Sequence, residues 1–82
     1  MARVLVGTDL SPTSERAVAW AADMASRHDA ELVVLQVVAE RAAAAEDALT
    51  RFAESVAGSD ARTRVAVGDD PAAVIVRVAR EE

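Results

Sequence analysis

Several residue types are missing or scarce in this chain of 82 residues. It has no cysteine, lysine or tyrosine, and its only aromatic residues are Trp20 and Phe52. Without cysteine the chain can form neither a disulfide nor a catalytic or metal-binding thiolate, and this composition is typical of cytoplasmic proteins. With so few aromatic rings, the core must be built from valine, leucine, isoleucine and alanine.

Long apolar runs and clusters of positive charge are also absent. A membrane-spanning helix needs about 20 apolar residues, which no segment approaches, and the N-terminus lacks the apolar stretch of a signal peptide. The nine arginines are scattered along a chain of net charge −5, whereas nucleic-acid-binding proteins usually present a basic face to the phosphates. We therefore expect a cytoplasmic protein that binds neither membranes nor nucleic acids.

The residues that are present predict one small α/β domain over residues 1–82. Apolar residues make up 52% of the chain, which is enough for a packed interior. Short apolar and β-branched runs are typical of buried parallel strands, and they lie at Arg3–Val6, Leu32–Val38 and Arg64–Val67.

Each predicted strand is followed by a segment with helical spacing of its apolar or alanine residues. The three helices are expected at Pro12–His28, Glu40–Ala57 and from Pro71 onward. Ser11 and Asp70 stand directly before a proline, which is the arrangement of an N-cap followed by the first helical residue. The resulting order, β-α-β-α-β-α, predicts a parallel sheet with right-handed crossovers.

The position of the first strand creates a difficulty for the predicted sheet. If the strand order is 3-2-1, one side of the first strand's backbone has no neighbour, and exposed apolar edges tend to pair with other chains. We therefore expect a homo-oligomer, or a second chain that completes the sheet, joined through the edge of the first strand.

The loop Gly7-Thr8-Asp9-Leu10-Ser11 is the first candidate for chemistry. It follows the first strand, and ligands of open parallel sheets bind beyond the carboxyl ends of the strands. Asp9 could accept a hydrogen bond from a ribose hydroxyl or a base amine, and Gly7 permits a close approach of the backbone. The same pattern also fits a plain turn and helix cap, so the spacing alone leaves both interpretations open.

Several separated elements resemble the universal stress protein family, and together they cover essentially the whole chain. The first is the strand and loop just described, and an alanine-rich helix follows it. The other matching residues are Ala30-Glu31-Leu32, Leu35-Gln36-Val37-Val38, Val67-Gly68-Asp69-Asp70-Pro71, Ile75 and Ala79.

The resemblance implies a three-layer flavodoxin-like or Rossmann-like domain with strand order 3-2-1-4-5, of which the fourth and fifth strands are missing here. Many members of the family bind ATP and others bind no nucleotide. Carried over to this chain, the nucleoside contacts would be Gly7, Thr8, Asp9 and Val37. The family's phosphate-binding motif follows the fourth strand, whereas this sequence ends at Glu82. We therefore expect ATP binding to be weak or absent in this chain.

Two functions follow as hypotheses. The first is a stress-response regulatory domain of the adenine-nucleotide-binding type that lacks the phosphate-binding half. The second is an interaction or oligomerisation module that binds no nucleotide. A slow ATP hydrolase has the least support, because no paired acid and base are recognisable, and we expect no enzymatic activity.

Three further features are weaker signals. Asp69-Asp70 could hold a metal but fits a turn and cap better, and His28 is expected near a helix end, so we predict no metal site. Trp20 could anchor a partner, although partial burial against the sheet or a neighbouring helix is the expectation.

Overall fold

The fold is described by a computed structural model over residues 2–40, 43–58 and 61–81. Strands and helices alternate as the sequence predicts. Their bounds are β1 Arg3–Gly7, α1 Pro12–Arg27, β2 Glu31–Val38, α2 Ala43–Ala57, β3 Arg62–Val67 and α3 Pro71–Glu81.

The three strands form one parallel sheet in the order β1-β2-β3, which confirms the predicted 3-2-1 arrangement. Arg3 of β1 is aligned with Glu31 of β2, and Val33 of β2 is aligned with Arg62 of β3. Glu31 forms ion pairs with Arg3 (3.4 Å) and Arg62 (3.3 Å), so one carboxylate links the amino ends of all three strands. These side chains are partly exposed, and such pairs contribute little stability.

Helices cover the sheet unequally. On one face, α1 and α2 pack on alternate strand residues, and the buried residues there are Val18, Ala21, Ala25, Leu32, Val34, Leu49, Ala53 and Val65. On the other face only α3 is present among the described residues, and its Val74 and Val78 pack against Leu35 and Ala66. The alternation of side chains along β1 puts Val4 and Val6 against the first cluster and Leu5 against the second.

The helix ends follow the predicted capping residues. The Ser11 hydroxyl accepts the N–H of Ser14 at 3.2 Å, and Pro12 is the first residue of α1. The Asp70 carboxylate accepts the N–H groups of Ala72 (3.1 Å) and Ala73 (3.4 Å) before α3.

Some boundaries differ from the sequence prediction. His28 caps α1 and is not part of the helix, and β2 and β3 begin one and two residues earlier than predicted, at Glu31 and Arg62. The described part of α2 begins at Ala43, and the predicted start at Glu40–Ala42 falls partly on residues 41 and 42, which lie outside the described residues. Helix and strand ends depend on local hydrogen bonds that residue preferences do not resolve.

The expected burial of Trp20 is wrong. Its side chain is 65% exposed, because the buried stripe of α1 consists of the smaller residues Val18, Ala21 and Ala25. No helix in the described part of the chain is long and apolar enough to cross a membrane.

Gly68, directly after β3, lies close to the side chain of Val74 in α3. A Cβ at this position would overlap Cγ2 of Val74, a side chain with restricted rotamers. We expect Gly68→Ala to lower the free energy of unfolding by about 1–3 kcal/mol, as overpacking usually does. Urea unfolding followed by circular dichroism measures the change.

The matched background for this test is Val74→Ala, which removes the overlapping methyl groups. There, Gly68→Ala should lower the free energy of unfolding by much less than in the native background. An equal loss in both backgrounds would contradict the proposed contact.

Candidate functional site

A pocket of about 550 Å³ lies at the carboxyl ends of β1 and β2. It contains all four residues that the resemblance assigns to a nucleoside site, namely Gly7, Thr8, Asp9 and Val37. The first three follow one another at the end of β1, and Val37 lies near the end of the neighbouring strand. They meet because the carboxyl ends of parallel strands lie at the same edge of a sheet.

Thr8 organises the loop between β1 and α1. Its backbone N–H donates to the carbonyl of Leu35 at 2.8 Å, which continues the pairing of β1 with β2 past the end of the strand. Its buried hydroxyl accepts the N–H of Leu10 at 2.9 Å and lies 2.7 Å from the hydroxyl of Ser14. Thr8 therefore joins the sheet through its backbone, and the loop and the first turn of α1 through its side chain.

Leu10 has an unusual backbone conformation, with a φ of 65°. This left-handed region is unfavourable for a residue with a branched side chain. Leu10 is held there by the hydrogen bond from its N–H to Thr8 and by packing of its side chain against the core under α1 and α2. The sharp turn that results brings Ser11 back toward Asp9.

Asp9 is exposed, and its orientation is set by this turn. Its Oδ1 accepts the backbone N–H of Ser11 at 2.9 Å. Hydrogen bonds from Ser11, first from the hydroxyl and then from the N–H, lower the pKa of Asp9 below its usual value of 3.8, because they stabilise the charged form. Asp9 is therefore an anion at neutral pH with oxygen atoms available to a ligand.

The pocket walls are largely aliphatic. Val37 of β2, Ala17 of α1 and Ile75 of α3 all line the pocket. A Cβ at Gly7 would lie 3.5 Å from Cδ1 of Ile75, so the missing side chain leaves space between β1 and α3. Such walls suit a flat apolar ligand group, while the loop supplies the polar contacts.

The sequence pattern missed several residues of this pocket, namely Thr13, Ser14, Ala17, Leu35, Pro71 and Ile75. The position of Ser14, three residues after a predicted N-cap, was a weak indication that it lies near the loop. Pro71 and Ile75 carried none, because α3 reaches the pocket from the opposite face of the sheet.

Asp9 is the only charged residue among the described residues that line this pocket. The site is therefore suited to groups that donate hydrogen bonds, such as sugar hydroxyls and amines, and the described lining holds no cation for phosphate. In the described residues no group of three or more His, Cys, Asp and Glu is arranged to hold a metal ion. Asp70 caps α3, and His28 caps α1.

Comparison with known proteins places this geometry in a family. The sequence matches the Universal stress protein family over residues 1–82. No curated protein matches the chain significantly.

Two solved structures resemble the fold closely. One is a universal stress protein in complex with cAMP, with a TM-score of 0.77 and 30% identity over 98% of this chain. The other is protein Rv1636 from Mycobacterium tuberculosis H37Rv, with a TM-score of 0.74 and 30% identity, also over 98% of this chain. The chain spans 64% and 63% of the lengths of these two proteins.

The role of the Thr8 hydroxyl can be tested with Thr8→Val. This change keeps the shape but leaves the N–H of Leu10 without an acceptor and removes the contact with the Ser14 hydroxyl, which still donates to the carbonyl of Ser11. It should lower the free energy of unfolding by about 1–3 kcal/mol. Thr8→Ser keeps the hydroxyl and is the control. Urea unfolding that ranks Thr8→Val as equal to or more stable than Thr8→Ser would contradict this role.

The lowered pKa of Asp9 predicts a pH dependence. Since the folded-state pKa lies below the unfolded one, the contribution of Asp9 to stability is present above the unfolded pKa and is lost as the pH falls through the folded pKa. NMR titration of the carboxyl carbon should give a pKa below 3.8. Ser11→Ala should raise it toward that value, whereas Ser55→Ala on α2 should leave it unchanged.

Proposed function

The chain belongs to the universal stress protein family, and we propose that it is a regulatory domain that binds the adenosine part of an adenine nucleotide, such as ATP or cAMP. The observation that carries the proposal is the convergence of Gly7, Thr8, Asp9 and Val37 on one pocket. A solved relative with 30% identity is a complex with cAMP, which supports an adenine nucleotide as the ligand class.

The chemistry of the pocket fits a nucleoside. Val37 and Ile75 form apolar walls against which a purine ring can lie. The Asp9 carboxylate is oriented by Ser11 and can accept hydrogen bonds from the two ribose hydroxyls or from the amino group of adenine. Both types of contact involve the adenosine part of the ligand and none involves the phosphates.

The negative charge of the pocket determines which part of a nucleotide it is expected to bind. Asp9, the only charged residue of the described lining, repels phosphate. We therefore expect the triphosphate of ATP to contribute little to the binding affinity of a single chain. We propose a binding role without catalysis, because Asp9 is the only titratable group in this lining and its lowered pKa makes it a weak base.

A second candidate function rests on the open edge of β1. In the described residues β1 pairs with β2 alone, and its apolar residues Val4, Leu5 and Val6 are only half-buried. Such an edge favours association with another chain. An interaction module of this kind would need no nucleotide, so ligand titration separates it from the first proposal.

The test is calorimetric titration of the 82-residue chain with adenosine and with cAMP. We expect saturable binding of adenosine that Asp9→Asn weakens by about fivefold, since a hydrogen bond to a charged group becomes one to a neutral amide. The asparagine retains Oδ1 as an acceptor for the N–H of Ser11, so the loop is preserved.

The control is Asp47→Asn, which removes the same charge from the exposed surface of α2. It should leave the affinity for adenosine unchanged. If neither adenosine nor cAMP binds saturably, or if the two variants weaken adenosine equally, the proposed site is wrong.

A further inference from the structure

Four hydroxyl side chains are among the described residues that line the pocket at the carboxyl ends of β1 and β2. They belong to Thr8, Ser11 and Ser14, and to Thr13 on the exposed first turn of α1. A hydroxyl carries one proton to donate, and its oxygen can also accept. The direction of each proton therefore decides whether the loop offers a ligand hydrogen-bond donors or acceptors.

The protons of Ser11 and Ser14 are directed toward acceptors of the loop itself. Oγ of Ser14 lies 3.0 Å from the backbone carbonyl of Ser11, a group that can only accept. The Asp9 carboxylate is an acceptor for both hydroxyls. Hydrogen bonds from Ser11 are the main cause of its lowered pKa, and one from the Ser14 hydroxyl adds to it. In each arrangement both protons remain within the loop.

The proton of Thr8 has one acceptor, the oxygen of Ser14. The two oxygens are 2.7 Å apart, and Oγ1 of Thr8 already accepts the N–H of Leu10 at 2.9 Å. If Ser14 donated to Thr8, the proton of this buried threonine would have no partner among the described residues, which is unfavourable. Thr8 therefore donates to Ser14, and the Ser14 oxygen keeps a second lone pair that is free to accept from a ligand.

We infer that Ser14 is a second hydrogen-bond acceptor of the candidate site, and that Ser14 and Asp9 together select a ligand with two neighbouring hydroxyl donors, the cis-diol of a ribose. This inference rests on the proposed function and names the part of the nucleoside that the loop recognises. Adenosine and ATP carry both ribose hydroxyls. cAMP keeps only the 2′-hydroxyl, because its 3′-oxygen is esterified.

The two acceptors are close neighbours because both residues are bonded to Ser11. The N–H of Ser11 donates to Oδ1 of Asp9 at 2.9 Å, and the Ser11 hydroxyl accepts the N–H of Ser14 at 3.2 Å. The hydroxyls of a ribose stand on adjacent carbons and on the same side of the ring, so they can reach neighbouring acceptors together. One hydroxyl then donates to Asp9 and the other to Ser14.

The rest of the lining favours this placement of the sugar. Val37 of β2 and Pro71 and Ile75 of α3 have no polar side-chain group, whereas Asp9 and Ser14 belong to the loop and to α1. A flat base can lie against the aliphatic side chains, which offer no acceptor to a sugar hydroxyl. The ribose is therefore expected at the loop and the base against β2 and α3.

Analogues of adenosine test the inference in the native chain without a substitution. In calorimetric titration, 2′-deoxyadenosine and 3′-deoxyadenosine should each bind about fivefold more weakly than adenosine, because each lacks one donor. The corresponding 2′-fluoro and 3′-fluoro derivatives should be equally weak, since fluorine is similar in size to a hydroxyl and cannot donate. A deoxy or fluoro analogue that binds as tightly as adenosine overturns the inference.

The substitution Ser14→Ala identifies the acceptor of one hydroxyl. It should weaken adenosine binding about fivefold and leave the affinity for one of the two deoxy analogues unchanged, because that analogue lacks the hydroxyl that Ser14 accepts. Asp9→Asn should lose its effect on the other deoxy analogue. A purely structural role of Ser14 predicts equal weakening of all three ligands. That result, or no weakening of any of them, overturns the inference.

The matched control for this substitution is Ser55→Ala. The Ser55 hydroxyl donates to the carbonyl of Phe52 at 2.9 Å, three residues earlier on α2, as Ser14 does to Ser11. Ser55→Ala therefore loses the same local hydrogen bond away from the pocket and should bind adenosine and both analogues as the native chain does. If it weakens adenosine as much as Ser14→Ala, the effect of Ser14 is not a ligand contact.

Purine riboside, which lacks the amino group of adenine, shows which part of the nucleoside Asp9 contacts. Asp9→Asn should weaken purine riboside by the same factor as adenosine, because both have the ribose hydroxyls. If the effect of Asp9→Asn disappears with purine riboside, Asp9 contacts the base, and the inferred selection of the cis-diol is wrong.

The outcomes distinguish this inference from the proposed function. If the native chain binds neither adenosine nor cAMP, the proposed function fails and the inference fails with it. If adenosine binds saturably but the deoxy analogues bind equally well, or Ser14→Ala weakens all ligands alike, the inference fails and the proposed function stands.

Discussion

β2 lies between β1 and β3 and has helices on both of its faces, so its residues from Leu32 to Leu35 are buried regardless of the side to which they point. This two-sided burial requires a continuous apolar run, which Leu32–Leu35 provides before Gln36 interrupts the apolar residues of β2. It also sets the register of the neighbouring strands, because both pair directly with β2. The pocket, the loop above it and the open edge all follow from the position of this strand.

The candidate site lies where the pairing of β1 with β2 ends, at Gly7 and Leu35. The carbonyl of Leu35 holds the N–H of Thr8, and the Thr8 hydroxyl then holds the strained backbone of Leu10. Through Ser14 and Ser11, hydrogen bonds continue from the Thr8 hydroxyl to the exposed carboxylate of Asp9. A ligand at Asp9 would therefore meet a loop that is already organised by the core, and less ordering entropy would be lost on binding.

The sequence by itself determined the order of the elements and both helix caps, because these depend on local features: apolar runs and a serine or aspartate before proline. The strand order and the four residues expected at a nucleoside were expectations carried over from the resemblance to the universal stress protein family. Only the tertiary structure decided that Ile75 and Pro71 of α3 close the pocket, that Leu10 is strained and that Trp20 is exposed. These outcomes depend on how α1 and α3 pack on the two faces of the sheet. Residue spacing along one segment carries no information about the distance to another.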